Sequence, residues 1–159
     1  LELDLLDASG LIDASLHPFD RIERHPDPTR PRDVSRGTPL SSLTVNSVIL
    51  DPKPGQPLLP GPITVRGWAI GAEGQAISRV EVSADGGSTW TRTARVGGGR
   101  ARWTWTLWEA AVTLPPGRHT LVARATDASG ATQPESVADT WNAKGYLNNA
   151  WHRVGVDVR

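Results

Sequence analysis

Residues 77–96, ISRVEVSADGGSTWTRTARV, decide the fold. The first seven alternate, with Ile77, Arg79, Glu81 and Ser83 on one side and Ser78, Val80 and Val82 on the other. A period of two is the signature of a strand, and Val80 and Val82 mark its core face. Asp85-Gly86-Gly87-Ser88 is a tight turn, because glycine and aspartate tolerate the positive φ that such turns require. Residues 88–96 then read as the returning strand.

The same grammar repeats in both directions. Upstream, TVNSVIL (44–50) is a strand with apolar residues on both faces, so its buried side is open. DPKPGQPLLPGP (51–62) holds five prolines and two glycines and reads as a spacer or wide loop. ITVRGWAI (63–70) is β-branched and apolar, and Gly67 marks a bulge or a close backbone approach. GAEGQ (71–75) is a turn. Downstream, GGGR (97–100) is a turn and ARWTWTLWEAAVTL (101–114) a strand, with Trp103, Trp105 and Leu107 on one face and Trp108 on the other. PPG (115–117) turns the chain into RHTLVARATD (118–127), with Leu121, Ala123 and Ala125 inward. ASG (128–130) turns again, and WHRVGVDVR (151–159) is the last strand. Seven or eight short strands at roughly ten-residue spacing predict an all-β, immunoglobulin-like antiparallel β-sandwich. A small barrel is the alternative.

Residues 1–43 differ in character and are expected to form an irregular N-terminal extension or linker, with 44–159 as the sandwich domain. Leu1, Leu3 and Leu5 alternate with acids as in a short strand. HPDPTRPRD (25–33) holds three prolines in nine residues, which suits an extended arm or a disordered tail. Residues 1–40 carry a net charge of −3 and residues 41–159 a net of +3, so the 159-residue chain is formally neutral. Neutrality gives no global attraction for nucleic acid, and no apolar run is long enough for membrane insertion as a helix. The chain has no cysteine, which excludes disulfides, thiolate metal sites and cysteine nucleophiles within it. It has no methionine and opens on Leu1, as expected for part of a longer protein.

Few motifs carry chemistry. SADGGSTW (83–90) matches the S-x-D-x-G-x-T-W box, a hairpin lock in which Asp85 accepts backbone N–H groups, Gly87 opens the turn and Trp90 packs beneath. Trp103, Trp105 and Trp108 suit a sugar-stacking platform, a core or a dimer interface. Arg92, Arg95, Arg100 and Arg102 form a basic patch around one hairpin. Asp20, Glu23, Asp127, Glu135, Asp139 and Asp157 show no paired spacing for acid–base work. His17, His25, His119 and His152 are scattered. In WNAKGYLNNAWHRVGVDVR (141–159), Asn142, Asn148 and Asn149 can tie a loop to its own backbone. Lys144 sits beside Gly145 at a bend, where a lysine either faces an anion or stands in solvent.

Taken in order, VRGWAI (65–70), VEVSADGGSTW (80–90), the tryptophan-rich strand ending in LWE (107–109), GRHTLVARATDASGATQPE (117–135) and WNAKGYLNNAWHRV (141–154) resemble the C-terminal dimerisation domain of the sulfite oxidase and assimilatory nitrate reductase family of molybdenum enzymes. The resemblance covers roughly residues 44–159 and leaves the first 40 uncovered. It implies an immunoglobulin-like domain through which two subunits form a homodimer. It also implies a separate catalytic domain holding the molybdenum–molybdopterin cofactor through a cysteine, so no cofactor is expected in this chain. Sulfite would be oxidised to sulfate in the full enzyme, with electrons leaving to a cytochrome c-type acceptor. A periplasmic site suits a bacterial parent. Family members that oxidise sulfite carry an arginine in a WNLRG segment lining the anion pocket. Here the segment is Trp141-Asn142-Ala143-Lys144-Gly145, so the resemblance gives Lys144 that place. Lysine keeps the charge but lacks the planar fork that grips two oxygens. The competing expectation is a free-standing immunoglobulin-like adhesion or glycan-binding module.

Overall fold

The computed structural model describes residues 21–22, 38–39, 42–99, 101–142 and 146–159. Strands β1 (Arg21–Ile22) and β2 (Thr38–Pro39) pair antiparallel with each other. Strands β3 (Asn46–Asp51), β5 (Gly61–Ile70), β9 (Thr106–Leu114) and β8 (Ala94–Gly98) form a four-stranded sheet in that order. The second sheet runs β4 (Pro57–Leu58), β11 (His152–Val158), β10 (Gly117–Asp127), β6 (Ile77–Ser83) and β7 (Thr91–Arg92). All neighbours are antiparallel except β4 and β11. The sheets face each other as an immunoglobulin-like sandwich.

Alternation sets the core. Val80 and Val82 from β6, Leu121, Ala123 and Ala125 from β10, and Val154, Val156 and Val158 from β11 meet Val65, Ala69, Trp108, Ala110, Val112 and Leu114 from β5 and β9. The face of β3 that the sequence leaves open is decided here: Val45, Ser47 and Ile49 are buried. Gly67 is the close approach. A Cβ there would stand 2.1 Å from the Val48 carbonyl oxygen and 2.2 Å from the Trp108 ring. The bare backbone therefore lets β3 and the Trp108 indole crowd against β5. Among the described residues, the Trp108 Nε1–H is buried without an acceptor. That is an unfavourable group held in place by the packing of its ring.

Three boundaries differ from the sequence reading. Residues 88–96 are not one strand: β7 pairs with β6, and β8 crosses to pair with β9 in the other sheet. The turn at 97–100 begins later than expected, because Gly97 and Gly98 still pair with Leu107 and Thr106. The strand of 101–114 starts only at Thr106, after a turn in which Trp103 takes a left-handed backbone with φ 63°. Within the 51–62 spacer, Pro57–Leu58 forms the short strand beside β11. The alternation at Leu1, Leu3 and Leu5 and the proline-rich 25–33 stretch lie outside the described residues.

Candidate functional site

The C-terminal loop between Asp127 and β11 carries the densest polar chemistry. Gln133 is its hub, buried to 2% exposure. Its Oε1 accepts from the Ser47 hydroxyl at 2.6 Å and the Ala125 N–H at 2.9 Å. Its Nε2 donates to the carbonyls of Asn149 (3.1 Å) and Ala150 (3.3 Å) and to Asn46 Oδ1 (3.3 Å). One side chain thus ties β3, β10 and the tail together. The Trp151 indole N–H donates to the Gln133 carbonyl at 3.0 Å, and the Trp151 amide to Pro134 at 2.9 Å. Ser136 caps the short 3₁₀ turn Val137–Thr140 by accepting from the Ala138 amide.

The three asparagines do tie this loop. Asn142 Nδ2 donates to the carbonyls of Thr140 (3.3 Å) and Tyr146 (2.7 Å), and its Oδ1 accepts from the Tyr146 amide at 3.2 Å. Residues 142 and 146, the two ends of the segment containing Lys144, are therefore latched to each other. Asn148 Oδ1 accepts from Thr140 Oγ1 and the Ala150 amide. Asn149 reaches further and donates to the Val45 carbonyl at 3.0 Å. Lys144 itself, with Ala143 and Gly145, lies outside the described residues. Between β3 and this loop is a cavity of about 680 Å³, lined by Val48, Glu135, Val137, Trp151, His152 and Arg153 among others. His152 Nδ1 accepts from the Ile49 amide at 3.2 Å, and burial holds its pKa below the ordinary histidine value.

The other sequence-marked residues separate into structural roles. Asp85 accepts from Ser83 Oγ (2.7 Å), Thr89 Oγ1 (2.6 Å), and the amides of Thr89 (2.9 Å) and Ser88 (3.0 Å). These bonds, led by the Ser83 hydroxyl, hold its carboxyl well below the usual range. Gly87 (φ 111°) sits against Trp151, and Trp90 meets Trp151 edge-on at 4.9 Å with the Arg124 guanidinium 3.9 Å from its ring. The box is a hairpin lock, as expected. Asp127 is the same device at the next turn. Burial pushes its pKa up, but bonds from Ser129 and from the amides of Ala72, Ser129 and Ala131 outweigh this and hold it down.

The three tryptophans do not form one platform: Trp108 is in the core, while Trp105 stacks on Trp68 at 5.1 Å. Nor do the arginines converge. Arg92 donates to the Ser78 carbonyl, Arg95 to Gly98 and Gly99, and Arg102 to Glu73, while Arg100 is outside the described residues. His119 contacts the Pro115 carbonyl, and Asp157 pairs with Arg159 at 2.6 Å. His17, His25, Asp20 and Glu23 lie outside the described residues. Among the described residues no three His, Asp or Glu gather as metal ligands. With no thiolate available, these residues do not fit a molybdenum centre.

Gln133 and the His152–Ile49 contact are what sequence reasoning missed. A lone glutamine in a polar loop has no periodicity, and its partners lie up to 87 positions away.

Fold and loop together define an immunoglobulin-like domain whose C-terminal loop is internally latched and anchored to the sandwich. The chain belongs to the family described as the Mo-co oxidoreductase dimerisation domain, whose family model matches residues 38–159. It is 42% identical over 119 residues to sulfite oxidase of Gallus gallus, covering 72% of this chain and 26% of that protein. Against mitochondrial sulfite oxidase of Homo sapiens the identity is 39% over 132 residues, 79% of this chain and 24% of that one. Among solved structures, the sulfane dehydrogenase SoxCD from Paracoccus pantotrophus superposes with a TM-score of 0.62 at 28% identity, over 72% of this chain and 30% of that chain. The chain thus spans about a quarter of the length of the curated sulfite oxidases just named.

Proposed function

We propose that this chain is the subunit-pairing domain of a sulfite oxidase-like molybdenum oxidoreductase, and that it closes one wall of the substrate anion pocket with Lys144. The observation that carries this reading is the 39–42% identity to sulfite oxidases over nearly three quarters of the chain or more. Residues 44–159 are the pairing domain, and residues 1–43 are the extension joining it to the catalytic domain. In the whole enzyme, sulfite and water give sulfate, two protons and two electrons, and the electrons pass to a cytochrome c-type acceptor. The pterin and metal belong to the catalytic domain. This chain's part is to pair two subunits and to hold a positive charge at the pocket.

The Asn142 latch supports the second role, because it joins the residues flanking the Lys144 segment. A loop fixed at both ends presents its cation at less entropic cost than a free one. The test is Lys144→Ala in the full-length enzyme. Loss of one charged hydrogen bond, about 1.5–3 kcal/mol, should raise the apparent KM for sulfite roughly tenfold or more. Lys144→Arg should keep most of the affinity. Steady-state kinetics unchanged in Lys144→Ala would refute the role.

A further inference from the structure

The C-terminal loop is bonded to β3, an edge strand of the four-stranded sheet. At the other edge of the sandwich stand β8 and β7, one from each sheet. There, between β6–β7 and β8–β9, lies a cavity of about 230 Å³. Its lining includes Arg79 of β6, Arg92 of β7 and Arg95 of β8, with Thr93, Thr106 and Trp108. The four hairpin arginines do not gather as a group, but two of them, joined by Arg79, share this lining. Among the described residues no carboxylate lines it. Arg79 pairs with Glu81 at 3.3 Å, but Glu81 also holds Arg124 at 2.9 Å. Glu109, opposite Ala94, pairs with Arg66 instead. Arg92 and Arg95 have no acidic partner among the described residues. Each uses only Nη2, Arg92 on the Ser78 carbonyl at 3.5 Å and Arg95 on the carbonyls of Gly98 (3.3 Å) and Gly99. Nε and Nη1 of both are left without an acceptor among the described residues.

Two neutral donors add to this charge. Thr106 and Trp108 are successive inward positions of β9, 6% and 1% exposed. Neither the Thr106 hydroxyl nor the Trp108 Nε1–H has a hydrogen-bond partner among the described residues. Arg95 stands opposite Trp108 in the β8–β9 ladder, so its side chain leaves the strand on the same inner side. An inward charge blunts an edge strand against pairing with another chain. That role accounts for one arginine, not for two uncompensated guanidiniums beside two idle buried donors.

We infer that this cavity binds a small tetrahedral oxyanion of the sulfate and phosphate class. Guanidinium donors suit such oxygens, and two uncompensated charges match a dianion. The donors come from strands of both sheets, which surrounds a tetrahedral ion better than a flat one. At ~30 Å³ per water the cavity equals about eight waters. That holds an oxyanion with part of its hydration, and falls below the roughly 300–1,000 Å³ of pockets for larger organic ligands.

The test is a titration of the isotope-labelled 159-residue chain with sodium sulfate, and separately with sodium phosphate, with chloride keeping ionic strength constant and amide NMR as the readout. Signals of Thr93, Arg95 and Thr106 should shift and saturate on one single-site curve with at least one of the two anions. The tighter-binding anion is the one the site prefers, and either supports the inference. By calorimetry, Arg92→Gln and Arg95→Gln should each weaken binding roughly tenfold. Arg66→Gln, at the Glu109 pair outside the cavity, should not. Thr106→Val should weaken binding about threefold or more, yet leave the anion-free chain no less stable, because it removes an unpartnered hydroxyl from a buried residue. Melting temperature is not the binding readout, since sulfate stabilises folded chains generally by exclusion from their surface. Shifts that stay linear with both anions, or that saturate only at residues away from the cavity, would overturn the inference on the wild-type chain alone. Unchanged affinity in both Arg92→Gln and Arg95→Gln would overturn it as well.

Discussion

Replacing Gln133 by alanine tests the polar anchoring of the C-terminal loop. The side chain makes five hydrogen bonds from a buried position. Some of the loss is recoverable. The Ser47 hydroxyl can rotate, and the carbonyls of Asn149 and Ala150 each keep a second lone pair. The Ala125 amide cannot move, because Ala125 lies within β10, paired with Val80 of β6, and is fully buried. An orphaned buried donor costs about 1–3 kcal/mol. The cavity left by the truncated side chain adds about 1–2 kcal/mol. A loss of about 3–4 kcal/mol follows, which at 2–4 °C per kcal/mol for a domain this size lowers Tm by roughly 10 °C. Gln133→Glu sharpens the test because it changes little in shape. One oxygen can still accept from Ser47 and Ala125. The other would replace Nε2 and face three oxygens, those of Asn46, Asn149 and Ala150. At neutral pH this variant should be at least as destabilised as Gln133→Ala. Below about pH 4 it should recover in part, because a protonated carboxyl can donate one bond. Thermal melts followed by circular dichroism and tryptophan fluorescence read both effects. A Tm within 2 °C of wild type for Gln133→Ala, or a glutamate variant of wild-type stability at pH 7, would refute the reasoning.

Gly67→Ala should cost about 3 kcal/mol by overpacking, since the new methyl would meet the Val48 carbonyl oxygen and the Trp108 ring at 2.1 and 2.2 Å; denaturant melts measure it, and a neutral result would mean that β3 and β5 are not so closely apposed. His152 makes the fold acid-sensitive. Burial lowers its folded pKa, so the unfolded chain takes up the proton first, and stability is fully present above about pH 6.5 and declines as pH falls below it. Protonation also removes the Nδ1 lone pair that accepts from Ile49. His152→Asn should flatten the slope of Tm between pH 7 and 5, and an unchanged slope would show that another group is responsible.

The strands were legible because their cause is local. Alternation at Val80 and Val82, and at Leu121, Ala123 and Ala125, assigns a core face without knowledge of what lies opposite. The Asp85 lock was legible for the same reason: every donor lies within four residues of Asp85. Family membership was legible from the order of five segments, which needs no coordinates.

Other features depend on partners that the chain brings from far away. The crossing between β7 and β8 was hidden, because TRTARV alternates alike whichever sheet receives it. The inward face of β3 was undecided, because both faces carry apolar residues. Val45, Ser47 and Ile49 turn inward where Asn149 bonds the Val45 carbonyl across 104 positions and Gln133 bonds Ser47 across 86. The tryptophans divide in the same way. Spacing placed Trp103, Trp105 and Trp108 in one stretch, but only packing beneath Gly67 buries Trp108, and only Trp68 holds Trp105 at the surface. The sequence by itself determined the core-facing strands, most of the turns and the family, because each rests on short-range periodicity, local hydrogen bonds or segment order. The tertiary structure alone decided which sheet each edge strand joined and what anchors the C-terminal loop. Those outcomes depend on contacts between residues dozens of positions apart, which no local pattern encodes.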